Sequence, residues 1–206
     1  MKQKQTLITR LAGSHRSIAS RLLLLTLLLF TTTAQAILTQ TIELTAGWNW
    51  VSFNVETTLD DLKAALVEAG VGLGTIINSQ SSGSTTYNGI RWRGALNSLD
   101  LSQMYQIKVE SDCEITLEGM PIDPTEHPVT IQPGYNWIAF PLNEEMTVTN
   151  VFDGFAISGD KIIFNTSSST YNGRMWRGTI HNLTPGQGYI YYSATAEDRP
   201  FTFPSY

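Results

Sequence analysis

Gly47-Trp48-Asn49-Trp50-Val51-Ser52-Phe53 returns later in the chain as Gly134-Tyr135-Asn136-Trp137-Ile138-Ala139-Phe140. Further along, Tyr87-Asn88-Gly89 with Trp92-Arg93-Gly94 returns as Tyr171-Asn172-Gly173 with Trp176-Arg177-Gly178. Leu99, Gln103 and Tyr105 return as Leu183, Gln187 and Tyr189. The order is the same each time, so the chain holds a duplicated unit, and a repeat sets the architecture before any residue has a role. The offset is 87 at the first motif (134 − 47) and 84 at the later ones (171 − 87), so the first unit carries about three extra residues between them. The Gly-rich stretch Glu68 to Gly74 is the expected place for that surplus.

Within each unit the patterns favour strands. Thr41 to Leu44 alternates, then breaks at Ala46-Gly47. Trp48 to Val55 is apolar on both faces, with Trp48 and Trp50 on one and Val51, Phe53 and Val55 on the other, which predicts a central, doubly covered strand. Thr58-Leu59-Asp60-Asp61 reads as a helix start, with Thr58 as N-cap. Leu59, Leu62, Leu66 and Ala69 follow helical spacing, and Gly70 sits where a C-terminal cap belongs. The second unit offers a shorter counterpart in Val148, Val151, Phe152 and Phe155, interrupted by Gly154.

Further strands are expected at Thr75 to Ser79, Lys161 to Asn165, Gln103 to Val109 and Gln187 to Ser193, then near Ile115 to Leu117 and Phe201 to Phe203. Asn88-Gly89 and Asn172-Gly173 sit between β-prone stretches and predict two-residue type I′ hairpin turns. The fold class is therefore mainly β (α+β): two tandem homologous β-rich units, each with one short helix. Residues 37–120 form the first unit and 121–206 the second, joined by the proline-containing segment Gly119 to Pro128. That segment is short, so the units are expected to touch. Each unit is small for a core without disulfides, and the aromatics supply much of the area to be buried.

Residues 1–36 read as a secretory signal peptide. Lys2, Lys4, Arg10, Arg16 and Arg21 make a basic start, Leu22 to Phe30 is apolar apart from Thr26, and Ala34-Gln35-Ala36 is a small-x-small cleavage site. The apolar run is shorter than the roughly 20 residues a membrane span needs. Cleavage near Ala36 places the product outside the cytoplasm, in the periplasm, at the cell surface or secreted, with no stable membrane span. It also removes five of the 13 Lys and Arg and no acid, so 8 basic residues face 18 acidic ones, a net charge of −10. That balance argues against nucleic acid and anionic membranes as partners, since both call for a basic patch.

The pattern GWNWVSFNV, a short helix, a W-x-G and a Tyr-bearing strand resembles the tandem "GWN" repeats of exported bacterial surface proteins, over nearly all of residues 40–206. The second unit departs from it with Tyr135 in place of the first Trp. The resemblance implies an extracytoplasmic, non-enzymatic accessory module and carries no ligand onto any residue.

Chemistry-bearing candidates are few. Tyr87, Asn88, Trp92 and Arg93, with Tyr171, Asn172, Trp176 and Arg177, make a candidate glycan platform: a sugar face stacks on an indole, and Arg, Asn and Tyr bond hydroxyls. The competing reading is a repeated core, with each Arg lying over the neighbouring Trp face. Trp48, Trp50 and Trp137 are expected in the core. Polar stretches at Asn78 to Thr86 and Asn165 to Thr170 read as solvent-facing strand ends or as a binding rim. Cys113 alternates with Ile115 and Leu117 on an apolar strand face, as a small buried hydrophobe. His127 and His181 are isolated, no metal-ligand spacing appears, and no cofactor is implied. The function expected is a non-catalytic module binding glycan or a surface protein through its aromatic hairpins. The alternatives are a self-associating structural unit and, last, an enzyme built on Cys113 and a histidine.

Overall fold

The computed structural model describes residues 36–205, and the expected signal peptide lies almost wholly outside them. The described part is mainly β, in two similar sheet arrangements, each with one short helix.

The first unit runs β1 (Leu38–Leu44), β2 (Gly47–Val51), α1 (Leu59–Glu68), β3 (Ile76–Asn78), β4 (Ser84–Tyr87), β5 (Trp92–Gly94), β6 (Tyr105–Val109) and β7 (Cys113–Gly119). The second runs β8 (Val129–Ile131), β9 (Gly134–Ile138), β10 (Met146–Thr147), α2 (Val148–Val151), β11 (Lys161–Phe164), β12 (Ser167–Tyr171), β13 (Trp176–Gly178), β14 (Asn182–Leu183), β15 (Tyr189–Ser193) and β16 (Arg199–Phe201). In the first unit an antiparallel sheet has the order β2-β6-β3-β4-β5, and β1 pairs with β7. The second repeats this as β9-β15-β11-β12-β13, with β8 paired to β16. The short β10–β14 pair has no counterpart in the first unit. The first and last strands of each unit thus form a ribbon separate from the sheet.

Burial follows from the patterns. In β1, Ile42 and Leu44 face inward with Gln40, while Thr41 and Glu43 face out. The helix α1 buries Leu59, Leu62 and Leu66, and these share one core with Phe53, Ile77, Ile107, Ile115 and Leu117 from sheet and ribbon. Thr58 caps it as expected: its hydroxyl accepts from the Asp61 N–H, and the Asp61 carboxylate accepts from the Thr58 N–H. Gly70, at φ +79°, closes the C-terminal end. The second core gathers Val148, Val151 and Phe152 from α2 and its end with Ile138, Ile162, Tyr189, Tyr191 and Phe201. The segment between the cores is tied down: the Glu56 N–H bonds the Met120 carbonyl, and the Ile122 N–H bonds the Asn54 carbonyl.

Five expectations need correction. The strand over Trp48 to Val55 ends at Val51 and lies at the edge of its sheet. Its second apolar face is not covered, because Trp48 is 49% exposed, so Trp48 is no core residue, and Trp50 and Trp137 are only partly buried. The Asn-Gly turns form hairpins, but not as type I′ turns with Asn and Gly at the centre. Asn165 is the one non-glycine with positive φ among the described residues. Asn88 instead bonds the Arg91 carbonyl through its N–H, and its side-chain oxygen accepts from the Ile90 and Arg91 N–H groups. Asn172 does the same with Met175 and with Arg174 and Met175. The asparagine is the anchor of the turn, and the glycine alone supplies the left-handed backbone. Cys113 is half-buried at the start of β7, not fully inside. The length surplus is divided: pairing matches Ile77 to Ile162 (162 − 77, an offset of 85), so two extra residues precede β3, and the third falls in the β3–β4 turn.

Candidate functional site

The two units meet through equivalent parts. Val51 of β2 forms an antiparallel bridge with Gln187 of the other unit. The Ser52 N–H bonds the Gly186 carbonyl, and the equivalent Ala139 N–H bonds the Ser102 carbonyl. Gly188 and its equivalent Met104 face one another closely: a Cβ on Gly188 would stand 2.3 Å from Met104 Cβ. Equivalent residues touching each other, and reciprocal hydrogen bonds, are the marks of an approximate two-fold axis between the repeats.

Backbone N–H and C=O groups on the outer edges of β2 and β9 need partners, as at any sheet edge. Most of them have one. Gln40 of β1 holds the segment after β2, its Nε2 donating to the Ser52 carbonyl and its Oε1 accepting from the Asn54 N–H, both at 3.0 Å. The Gly188 N–H donates to the Trp50 carbonyl. On β9, Gln80 from the β3–β4 turn donates to the Tyr135 carbonyl and accepts from the Trp137 N–H, both at 2.7 Å. The equivalent groups on β2 are the Trp48 carbonyl and the Trp50 N–H, and among the described residues no hydrogen bond reaches either. The turn that would serve them is Asn165-Thr166, closed by the Phe164–Ser167 pair and one residue shorter than the stretch Gln80 to Ser82 that the Ser79 N–H to Gly83 carbonyl bond closes in the first unit. An even count of intervening residues lets Phe164 pair with Ser167 and close the hairpin tightly. Phe164 then meets Trp50 edge-on, centroids 6.0 Å apart.

A groove of about 400 Å³ lies along this open edge. Trp48 and Trp50 form one wall, Phe164 and Asn165 another, and Glu43 and Gln187 contribute polar groups. The volume falls in the range of small-ligand sites. Sequence patterning pointed to Trp48 and Trp50 as core because it registers apolarity and not which strand is outermost.

The expected hairpin residues are brought together in pairs. Tyr87 lies across from Trp92, rings 5.3 Å apart at 37°, and Tyr171 lies across from Trp176, 5.5 Å apart at 49°. Both indoles are half-buried against their unit's core, and Trp92 Nε1 is buried without a hydrogen-bond partner. Arg93 and Arg177 are exposed and do not lie over the tryptophans, since neighbours on a strand point to opposite faces. The glycine of each Trp-Arg-Gly has a packing reason: a Cβ on Gly94 would stand 2.0 Å from the Ser84 carbonyl oxygen, and one on Gly178 2.1 Å from that of Ser168. Strands β5 and β13 are the edges farthest from the β2 and β9 edges in strand order, so the two hairpins form separate surfaces.

No family model, curated protein or solved structure matches this protein.

Titratable groups gather at one further place. Asp160, fully buried, accepts from the N–H groups of Ala194 and Ile157, the Tyr191 hydroxyl and Arg199 Nη2, the last at 2.8 Å. Arg199 also donates to the Phe155 carbonyl and lies over the Phe155 ring, 4.3 Å from its centroid. Burial pushes the Asp160 carboxyl up, and its four donors outweigh that and hold it below the usual carboxylate range. Burial, then the hydrogen bond to Asp160 and its charge, pushes the Tyr191 hydroxyl far above its ordinary value. These bonds clasp β15, β16 and the end of α2 together, and only Arg199 Nε is left buried without a partner in the network.

The remaining candidates lie apart. His127 Nε2 is 3.1 Å from Glu56 Oε1, near the Gly119 end of the β1–β7 ribbon, and Cys113 stands at the other end, roughly 20 Å along the strand. Burial, with Asp112 adding, raises the Cys113 thiol above its ordinary value, the opposite of activation. Among the described residues no cluster of three metal-ligating side chains occurs, and no helix is long and apolar enough to cross a membrane.

Proposed function

We propose that this protein is an exported, non-catalytic interaction module that engages a surface partner through the groove between its repeats. The observation that carries the reading is an exposed Trp48 standing beside an unpaired strand edge, in a groove with Glu43 and Gln187 at its rim. An exposed aromatic next to unsatisfied backbone offers a partner both apolar area and hydrogen bonds in one place. Export and the accessory role rest on residues 1–36 and on the resemblance to the GWN repeats. The acidic charge left after cleavage supports a partner other than nucleic acid or an anionic membrane.

Glycan binding at the hairpins is a second reading, favoured by the duplicated Tyr87–Trp92 and Tyr171–Trp176 pairs with an exposed Arg beside each. One experiment separates the two. Residues 37–206 are assayed for binding to isolated bacterial envelopes and to a glycan array, alongside Trp48→Ala and Arg93→Ala plus Arg177→Ala. Loss with Trp48→Ala alone supports the groove, and loss with the arginine pair supports the hairpins. No binding by the parent protein contradicts both and favours a structural, self-associating unit.

A further inference from the structure

The groove's two unpaired backbone groups specify a ligand chemistry, because the other unit shows what fills the same place. At β9 the Tyr135 carbonyl and the Trp137 N–H flank one residue and are bridged by the carboxamide of Gln80, one donor and one acceptor from a single group. Gln40 bridges the Ser52 carbonyl and the Asn54 N–H in the same way. Both glutamines take the position that peptide groups of an added strand would take. At β2 the Trp48 carbonyl and the Trp50 N–H flank Asn49 with the same spacing, and the protein's own turn stops short of them.

We propose that the β2 edge binds an extended peptide segment of a partner protein by strand addition. The proposal rests on the reading of the groove as the binding site. One backbone N–H of the peptide donates to the Trp48 carbonyl, and one backbone carbonyl of the peptide accepts from the Trp50 N–H. The peptide side chain at that residue packs on Trp48, whose ring is exposed for it. Backbone pairing supplies the affinity and pockets for alternate side chains the specificity. The charge at the rim sets the second preference. Glu43 lines the groove and stands directly across from Glu114 on the ribbon, two like charges that disfavour each other. A Lys or Arg of the peptide beside Glu43 relieves that repulsion, so the preferred segment is extended and basic, with an apolar or aromatic residue next to the cation.

The test uses residues 37–206 and a random-heptapeptide phage library. Enriched peptides are synthesised and their binding is measured by calorimetry. The expected result is enrichment of basic sequences with an apolar residue, at least tenfold weaker binding to Trp48→Ala, and a switch to acidic sequences when selection is repeated on Glu43→Lys. N-methylation at a single peptide position should abolish binding by removing the N–H that meets the Trp48 carbonyl. A second arm applies chito-oligosaccharides and β-glucan fragments to the same proteins. Saccharide binding that Trp48→Ala abolishes, without peptide enrichment, overturns the peptide and keeps the groove. Peptides whose binding survives N-methylation at every position overturn strand addition. No binding in either arm overturns both the peptide and the groove.

Discussion

At the scale of single residues, the aromatics and the buried charges divide into two kinds. Trp92 and Trp176 lean on their cores, and Arg93 and Arg177 point away from them. Trp92→Ala is expected to destabilise the protein by about 2–3 kcal/mol through lost burial and the cavity left behind. Arg93→Ala should stay within about 0.5 kcal/mol, as surface substitutions do. Urea unfolding of the two variants checks this contrast. Asp160 is the residue with most to lose. Asp160→Asn leaves the half-buried Arg199 uncompensated, and removing one partner of a buried pair costs about 3–5 kcal/mol. The sign of the pH effect follows from the direction of its shift. The folded carboxyl titrates below the unfolded one, near 3.9, so its stabilisation is present above that pH and is lost as pH falls through the lower, folded value. Urea midpoints from pH 6 down to pH 2 should therefore fall more steeply for the parent protein than for Asp160→Asn. Parallel curves would show that the carboxylate contributes nothing.

At the scale of elements, local signals were legible and long-range ones were not. Thr58, Asp61 and Gly70 announced α1 because a capping box is a contact over three residues. Thr58→Ala should cost about 1 kcal/mol, measured by thermal or urea unfolding. The hairpins were legible through their Asn-Gly pairs, although the turn geometry was not, because the Asn anchors the turn by its N–H and side chain while only the Gly takes the left-handed backbone. The pairing of β1 with β7 could not be read, since it closes a unit across more than sixty residues and leaves only generic alternation in each strand. The edge position of β2 escaped for the same reason: Trp48 and Trp50 look like core until strand order is known. Asp160 had no signal at all in sequence, since Tyr191 and Arg199 are 31 and 39 positions away.

At the scale of the whole molecule, the duplication built a frame whose symmetry is broken at several places, and one of them, the turn beside the β2 edge, leaves backbone open. The reciprocal bonds of Ser52 with Gly186 and Ala139 with Ser102 join the units. Residues 37–206 should therefore unfold in one calorimetric transition, and two separated transitions would show that the repeats are independent. Gly188→Val should weaken the junction, because its side chain would enter the space of Met104 Cβ and approach the Val51 carbonyl. One extra residue in the β3–β4 turn lets Gln80 fill the β9 edge, while the tight Asn165-Thr166 turn leaves the β2 edge open. Function is proposed at that point of asymmetry, which is visible because the β2 and β9 edges are equivalent in the two repeats.

The claim that one edge is filled and its twin is open can be measured directly by amide hydrogen exchange at Trp137 and Trp50. The Trp137 N–H, held by Gln80, should be well protected, and Gln80→Ala should release it. The Trp50 N–H should exchange much faster in the parent protein and be indifferent to Gln80→Ala. Equal protection at the two positions would contradict the account, because the β2 edge would then already have a partner within the fold.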